Sequence, residues 1–219
     1  MNTILEIQHL QKKFKDKTVI KDISLTCHSG KIYGITGYNG CGKSVFFKCV
    51  CGIYKPTSGS IEFNGKRLGR DMDMLPNTGM IIEGPAFLGG YSGYTNLDLL
   101  YRVNNKRNKE HIMTVMRQVG LNPSLKLPVE KYSLGMKQRL GIAQAIMENP
   151  DILILDEPMN GLDKQGVEEI RNLLIQERNH GKMILLASHN PYDIDFLCDE
   201  IYAFEDGKLV KHQEAAPAL

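Results

Sequence analysis

Two stretches of this chain carry residue types whose spacing could handle phosphate. Gly37-Tyr-Asn-Gly-Cys-Gly-Lys43-Ser44 matches G-x-x-x-x-G-K-[ST], following an apolar run and opening a helical one. Gly37, Gly40 and Gly42 let the backbone turn its N–H groups inward around phosphate oxygens, with Tyr38, Asn39 and Cys41 contributing main chain between them. The following helix adds the positive end of its dipole. Lys43 would neutralise the β- and γ-phosphates, and the Ser44 hydroxyl suits Mg2+. The second stretch, Ile152-Leu-Ile-Leu-Asp156-Glu157-Pro158, is an apolar strand ending in two carboxylates. Asp156 then falls at the carboxyl edge of a sheet, where open α/β folds bind ligands, and would hold Mg2+ through its waters. Glu157 would orient or deprotonate the water attacking a γ-phosphate. The plainer alternatives are a glycine turn for the first stretch and a helix cap for the second. Their coexistence in one chain favours the nucleotide reading.

The elements that must position these groups alternate between strand and helix. Leu5–Leu10, Val19–Thr26, Lys31–Thr36, Ser60–Phe63 and Gly79–Ile82 have strand character, with a helix over Lys43–Cys51 stopped by Gly52 and Pro56. Residues 94–130 differ, with a basic run at 102–109, a helix over His111–Val119 and breaks at Pro123 and Pro128. They imply a small helical subdomain between core segments 1–93 and 131–213. Leu134–Met147 is expected to be a helix, Ile152–Leu155 a buried strand, and Gln165–Arg178 an amphipathic helix. Met183–Ala187, a short helix at Tyr192–Cys198 and a last strand at Ile201–Phe204 follow, and 214–219 is expected to fray. The fold class is α/β: a phosphate-loop NTPase core with a mainly parallel sheet, an antiparallel β portion near the N-terminus and the helical subdomain.

Composition bounds the rest. A chain of 219 residues, 42% hydrophobic and 24% charged, is long enough for one domain that buries its own core. No apolar run approaches 18 residues, so no membrane span is expected, and the N-terminus lacks a secretory pattern. A net charge of +2 offers no general field for nucleic acid. Five cysteines without paired C-x-x-C spacing imply reduced thiols, and scattered histidines argue against an all-protein metal site. Cys41, at a helix start beside Lys43, is the thiol whose alkylation should block nucleotide binding.

Three further motifs give the chain a family resemblance. Ser133-Leu-Gly135-Met-Lys-Gln-Arg139 lies 90 residues after Lys43 and 23 before Asp156, with Asn160-Gly-Leu-Asp163 and Ala187-Ser-His189 following in order. Together with the phosphate loop they resemble the nucleotide-binding subunit of ATP-binding cassette (ABC) transporters, over nearly the whole chain. The resemblance implies ATP and Mg2+ as cofactors, and Ser133 and Gly135 closing over ATP bound to an identical or paralogous partner subunit. It implies His189 as a γ-phosphate sensor beside catalytic Glu157 and Lys43. It places Phe14 at the position that stacks on adenine, a buried core residue being the equal alternative. Docking on separate multi-span permease subunits at the cytoplasmic face of the membrane follows, with no nucleic-acid partner.

The departures from the family pattern are specific. Val45 replaces a frequent threonine, leaving only backbone for the α-phosphate, and the signature loses one glycine and the glutamine amide. Glu83, in Ile81-Ile-Glu-Gly-Pro-Ala-Phe87, stands where most members carry glutamine, and a carboxylate there could approach Mg2+ or the attacking water. Glu83 with Ser-Leu-Gly-Met-Lys-Gln-Arg-Leu resembles the subgroup handling bacitracin and lantibiotic peptides. Phe87, Leu88, Tyr91 and Tyr94 are candidate lining for a groove receiving a permease helix. The implied function is ATP-driven export of a peptide or amphipathic compound. Alternatives are a cassette signalling to a membrane sensor, a soluble cassette acting on DNA or ribosomes, and a small-molecule kinase.

Overall fold

The computed structural model describes residues 3–214, the side chains of 213 and 214 excepted. Two sheets form the frame. The first is antiparallel, in the order β2–β1–β4–β5, from β1 (Ile4–Phe14), β2 (Lys17–His28), β4 (Ser58–Phe63) and the two-residue β5 (Lys66–Arg67). The second runs β10–β9–β3–β8–β7–β6, from β3 (Ile32–Thr36), β6 (Thr78–Ile81), β7 (Ile152–Asp156), β8 (Met183–Ala187), β9 (Glu200–Glu205) and β10 (Lys208–Glu214). Five of these six strands are parallel; only β10 is antiparallel, on β9.

The middle strands are apolar on both faces because both are covered. Successive residues of β7 alternate between two cores: Ile152 and Ile154 face one, Leu153 and Leu155 the other. Between the sheets lies the first core, with Leu5, Ile23, Ile61 and the Phe46 and Phe47 rings of α1 (Lys43–Cys51). The opposite core packs against α4 (Leu134–Ile146), α5 (Lys164–Asn179) and α6 (Pro191–Leu197) through Leu140, Ile170 and Ile194. Gly79 in β6 allows the backbone of α4 to lie on the sheet: a Cβ there would fall 1.9 Å from the Ala145 carbonyl oxygen.

The stretch over 94–130 contains two helices, not one. α2 (Gly93–Tyr101), capped by Ser92, precedes α3 (Lys109–Gln118), capped by Asn108, and both touch α4. Two members of the basic run are tied inward: Arg107 and Arg102 lie 3.4 Å and 3.8 Å from the buried Asp98 carboxylate. Phe87 and Tyr94 pack against the second core, whereas Leu88 and Tyr91 are exposed. The chain does not end its strands at Ile201–Phe204. Beyond the Asp206–Gly207 turn, β10 adds an edge strand that takes in Glu214. The remainder of the expected frayed tail, 215–219, lies outside the described residues.

Candidate functional site

The carboxyl ends of β3 and β7 lie on either side of β8, and both feed one cleft of about 1020 Å³. After β3 the chain turns through Gly37 to Gly42 into α1. Gly42 sits at φ +127°, with the Phe204 ring 2.9 Å from where a Cβ would be, so only glycine fits this approach. No side chain among the described residues caps α1, so side chains leave its first N–H groups to other partners. The loop curls around its own lysine. Lys43 is buried, and its Nζ donates to the carbonyls of Gly37 at 2.7 Å and Tyr38 at 3.3 Å, leaving one donor. Cys41 is buried under the same loop, with a Gly37 Cβ position only 2.9 Å from its sulfur.

Ser44, one residue into α1, donates its hydroxyl to Asp156 Oδ2 at 2.6 Å. Sequence positions 112 residues apart thus present a hydroxyl and a carboxylate together. Among the described residues no three His, Cys, Asp or Glu side chains gather into a metal site. A hard divalent ion held by Ser44 and Asp156 would therefore complete its shell with phosphate oxygens and water, which is how Mg2+ is usually bound.

Glu157 leaves β7 in a left-handed backbone, φ +53°. Such a conformation costs a non-glycine residue about 1 kcal/mol and persists only where neighbours hold it. Five contacts do so. Its N–H donates to the Ala187 carbonyl at 2.9 Å, and its own carbonyl accepts from the Asn160 N–H and from Gln138 Nε2, both at 3.2 Å. On the side chain, Oε2 accepts the His189 N–H at 3.3 Å and lies 2.8 Å from His189 Nδ1. The other oxygen, Oε1, is buried and has no hydrogen-bond partner among the described residues. A carboxylate fixed through one oxygen, with its second oxygen unpaired, is arranged to accept a proton.

The remaining expected residues fall in three groups. Tyr38, Asn39, Gly40 and Val45 line the cleft with Lys43 and Ser44. Ser133 and Gly135 lie at the start of α4 and are not part of this lining. Ser133 caps the helix, its Oγ accepting the Met136 N–H at 3.2 Å, and Gly135 packs against the Gly161 carbonyl. Phe14 is also outside the cleft. Its ring meets Tyr54 edge-on at 5.4 Å with the Lys12 ammonium 4.7 Å from its centroid.

Comparison with known proteins bears on what the cleft is. A family described as ABC transporter matches residues 20–160. The chain belongs to the ABC transporter family. Among its relatives, an uncharacterized ABC transporter ATP-binding protein, YybJ of Bacillus subtilis (strain 168), is 41% identical over 94% of each chain. The bacitracin transport ATP-binding protein BcrA of Enterococcus faecalis is 38% identical, covering 96% of this chain and 69% of its own. The lantibiotic transport ATP-binding protein SrtF of Streptococcus pyogenes is 36% identical over 96% and 91%. The solved dimeric structure of MJ0796, a bacterial ABC transporter cassette, superposes with a TM-score of 0.87 over 98% of this chain and all of its own. At 19% identity that match shows the fold. The chain is accordingly an ATP-binding, ATP-hydrolysing ABC transporter cassette.

Two residues of the cassette escaped the sequence analysis. Gln138 lies within the signature, but nothing in its spacing marks it as buried and reaching the Glu157 carbonyl. Lys48 is the other. Glu83 lines the cleft with Ser44 and Asp156 and pairs with Lys48 at 2.7 Å, and that hydrogen bond raises the Lys48 ammonium above its ordinary pKa.

Proposed function

We propose that this ABC ATPase exports a peptide or other amphipathic compound through separate membrane subunits, closing and opening with ATP as a dimer. The observation that carries the mechanism is the convergence of Ser44–Asp156 with Glu157–His189 at the mouth of one phosphate loop. Lys43 and the loop N–H groups bind the β- and γ-phosphates. Mg2+, held by Ser44 and Asp156, would neutralise charge on those phosphates. Glu157, positioned by His189 through Oε2, orients a water and takes its proton. His189 keeps its second ring nitrogen for the γ-phosphate, and so for sensing its loss.

Ser133 and Gly135 are not part of the chain's own cleft lining, although Leu134 between them borders it, and the start of α4 is the anion-binding end offered to a partner's nucleotide. The dimeric cassette of the same fold supports that arrangement. Relatives named for bacitracin and lantibiotic transport support a peptide cargo. Among the described residues no helix is long and apolar enough to cross a membrane, consistent with a transport path in other subunits. The cassette would then dock peripherally on the cytoplasmic face, with 94–130 as its helical subdomain. Hydrolysis of Mg-ATP by the purified chain, with loss of ATP binding in Lys43→Ala, tests the chemistry. Cross-linked capture from membranes tests the partner: a multi-span permease supports export, and a sensor kinase would favour the signalling alternative.

A further inference from the structure

Lys48 lies four residues after Ser44 on α1, so both side chains share one helix face. Its side chain is only 16% exposed, pairs with Glu83 Oε2 at 2.7 Å and sits 5.4 Å from the Tyr54 ring centroid. An ammonium in so enclosed a place needs a partner, and Glu83 is that partner. The Glu83 backbone is held at φ +60°, followed by Gly84 at +94° and Pro85, so the loop conformation turns this side chain in a set direction.

The same cleft is lined by Asp156 and Glu157, while Lys43 already donates twice to its own loop. A nucleotide polyphosphate entering it meets Glu83, Asp156 and Glu157, besides Asp206, which is already paired with Lys21 at 2.7 Å. A glutamine at position 83 would bring no charge to the cleft; a glutamate, its side chain 62% exposed, brings one. We propose that Lys48 is a positioning residue for Glu83: it holds the carboxylate on the flank of α1 and cancels its charge, so the cleft accepts a nucleoside triphosphate despite a carboxylate at this loop position. The inference deepens, and depends on, the assignment of the cleft to ATP.

The test is isothermal titration of ATP with EDTA present, using the full chain, so that neither Mg2+ nor turnover contributes. Lys48→Met should weaken affinity about five-fold, the upper worth of a partly exposed ion pair. Adding Glu83→Gln to that variant should restore affinity to within about two-fold of wild type, as expected for two residues acting through one interaction. Lys48→Arg, which keeps the charge, should stay within the same margin. Equal weakness in Lys48→Met and the double variant would overturn the inference, since Lys48 would then act on the nucleotide or the fold directly. So would Lys48→Met binding like wild type. A wild-type chain that binds no ATP would instead count against the assignment of the cleft itself.

Discussion

Glu200 braces the strand that delivers the phosphate loop. Its residue in β9 sits opposite Tyr33 of β3, and its carboxylate collects three donors. Lys31 Nζ is at 2.8 Å, Tyr202 Oη at 2.8 Å and Lys211 Nζ at 3.1 Å, with the side chain 14% exposed. Burial pushes the carboxyl up, but the hydrogen bonds outweigh it and bring the pKa from 4.5 down to about 2. A depressed folded-state pKa means stability that is complete above the unfolded value and is lost as pH falls from about 4.5 towards 2. At about 1.4 kcal/mol per pH unit the separation is worth about 3 kcal/mol, an upper bound because solvent screens the half-exposed lysines. Glu200→Gln keeps the side-chain size and removes the titration. Urea unfolding of both chains at pH 6 and pH 3.5 should show wild type losing about 1.4 kcal/mol more than the variant. Parallel losses would refute the reasoning, because no proton would then be taken up at Glu200 on unfolding.

Two further substitutions test the site and its support. Gln138→Met removes the buried amide from the Glu157 carbonyl, a hydrogen bond worth about 1 kcal/mol, so kcat should fall about five-fold. ATP affinity should hold in equilibrium binding, since the phosphate loop is untouched. Gly79→Ala places a methyl against the Ala145 carbonyl and should cost about 3 kcal/mol as α4 is lifted from the sheet. Thermal unfolding checks it, and a change below about 1 kcal/mol would contradict the close approach.

The parts legible in the sequence are those where local chemistry and fold agree. α1 begins at Lys43 because the glycine turn ends there, and it stops where Gly52 takes a left-handed cap, both visible as residue types. β7 and β8 are apolar on both faces, so length alone marked them as strands. β10 was not legible: as an edge strand it needs only one paired side, and Lys208-Leu-Val-Lys-His carries the polar residues of a solvent-facing edge. α2 was missed because its start, Gly93-Tyr-Thr, has weak helix formers, and the Ser92 cap with Asn96 bonded to the Leu88 and Ser92 carbonyls sets it instead. In the site, the phosphate loop and the two carboxylates were readable as motifs. The Lys48–Glu83 pair and the Gln138 clamp were not, because each joins residues whose proximity exists only after α1, α4 and the sheet have packed.

In the proposed composite ATP site two chains close over the nucleotide and Glu157 activates the attacking water. The most direct measurement is the solution mass of Glu157→Gln with Mg-ATP, read by light scattering alongside phosphate release. The expected result is an ATP-dependent dimer of twice the monomer mass that releases no phosphate. A variant that stays monomeric at saturating ATP would rule out the composite site, and one that continues to hydrolyse it would rule out Glu157 as the base.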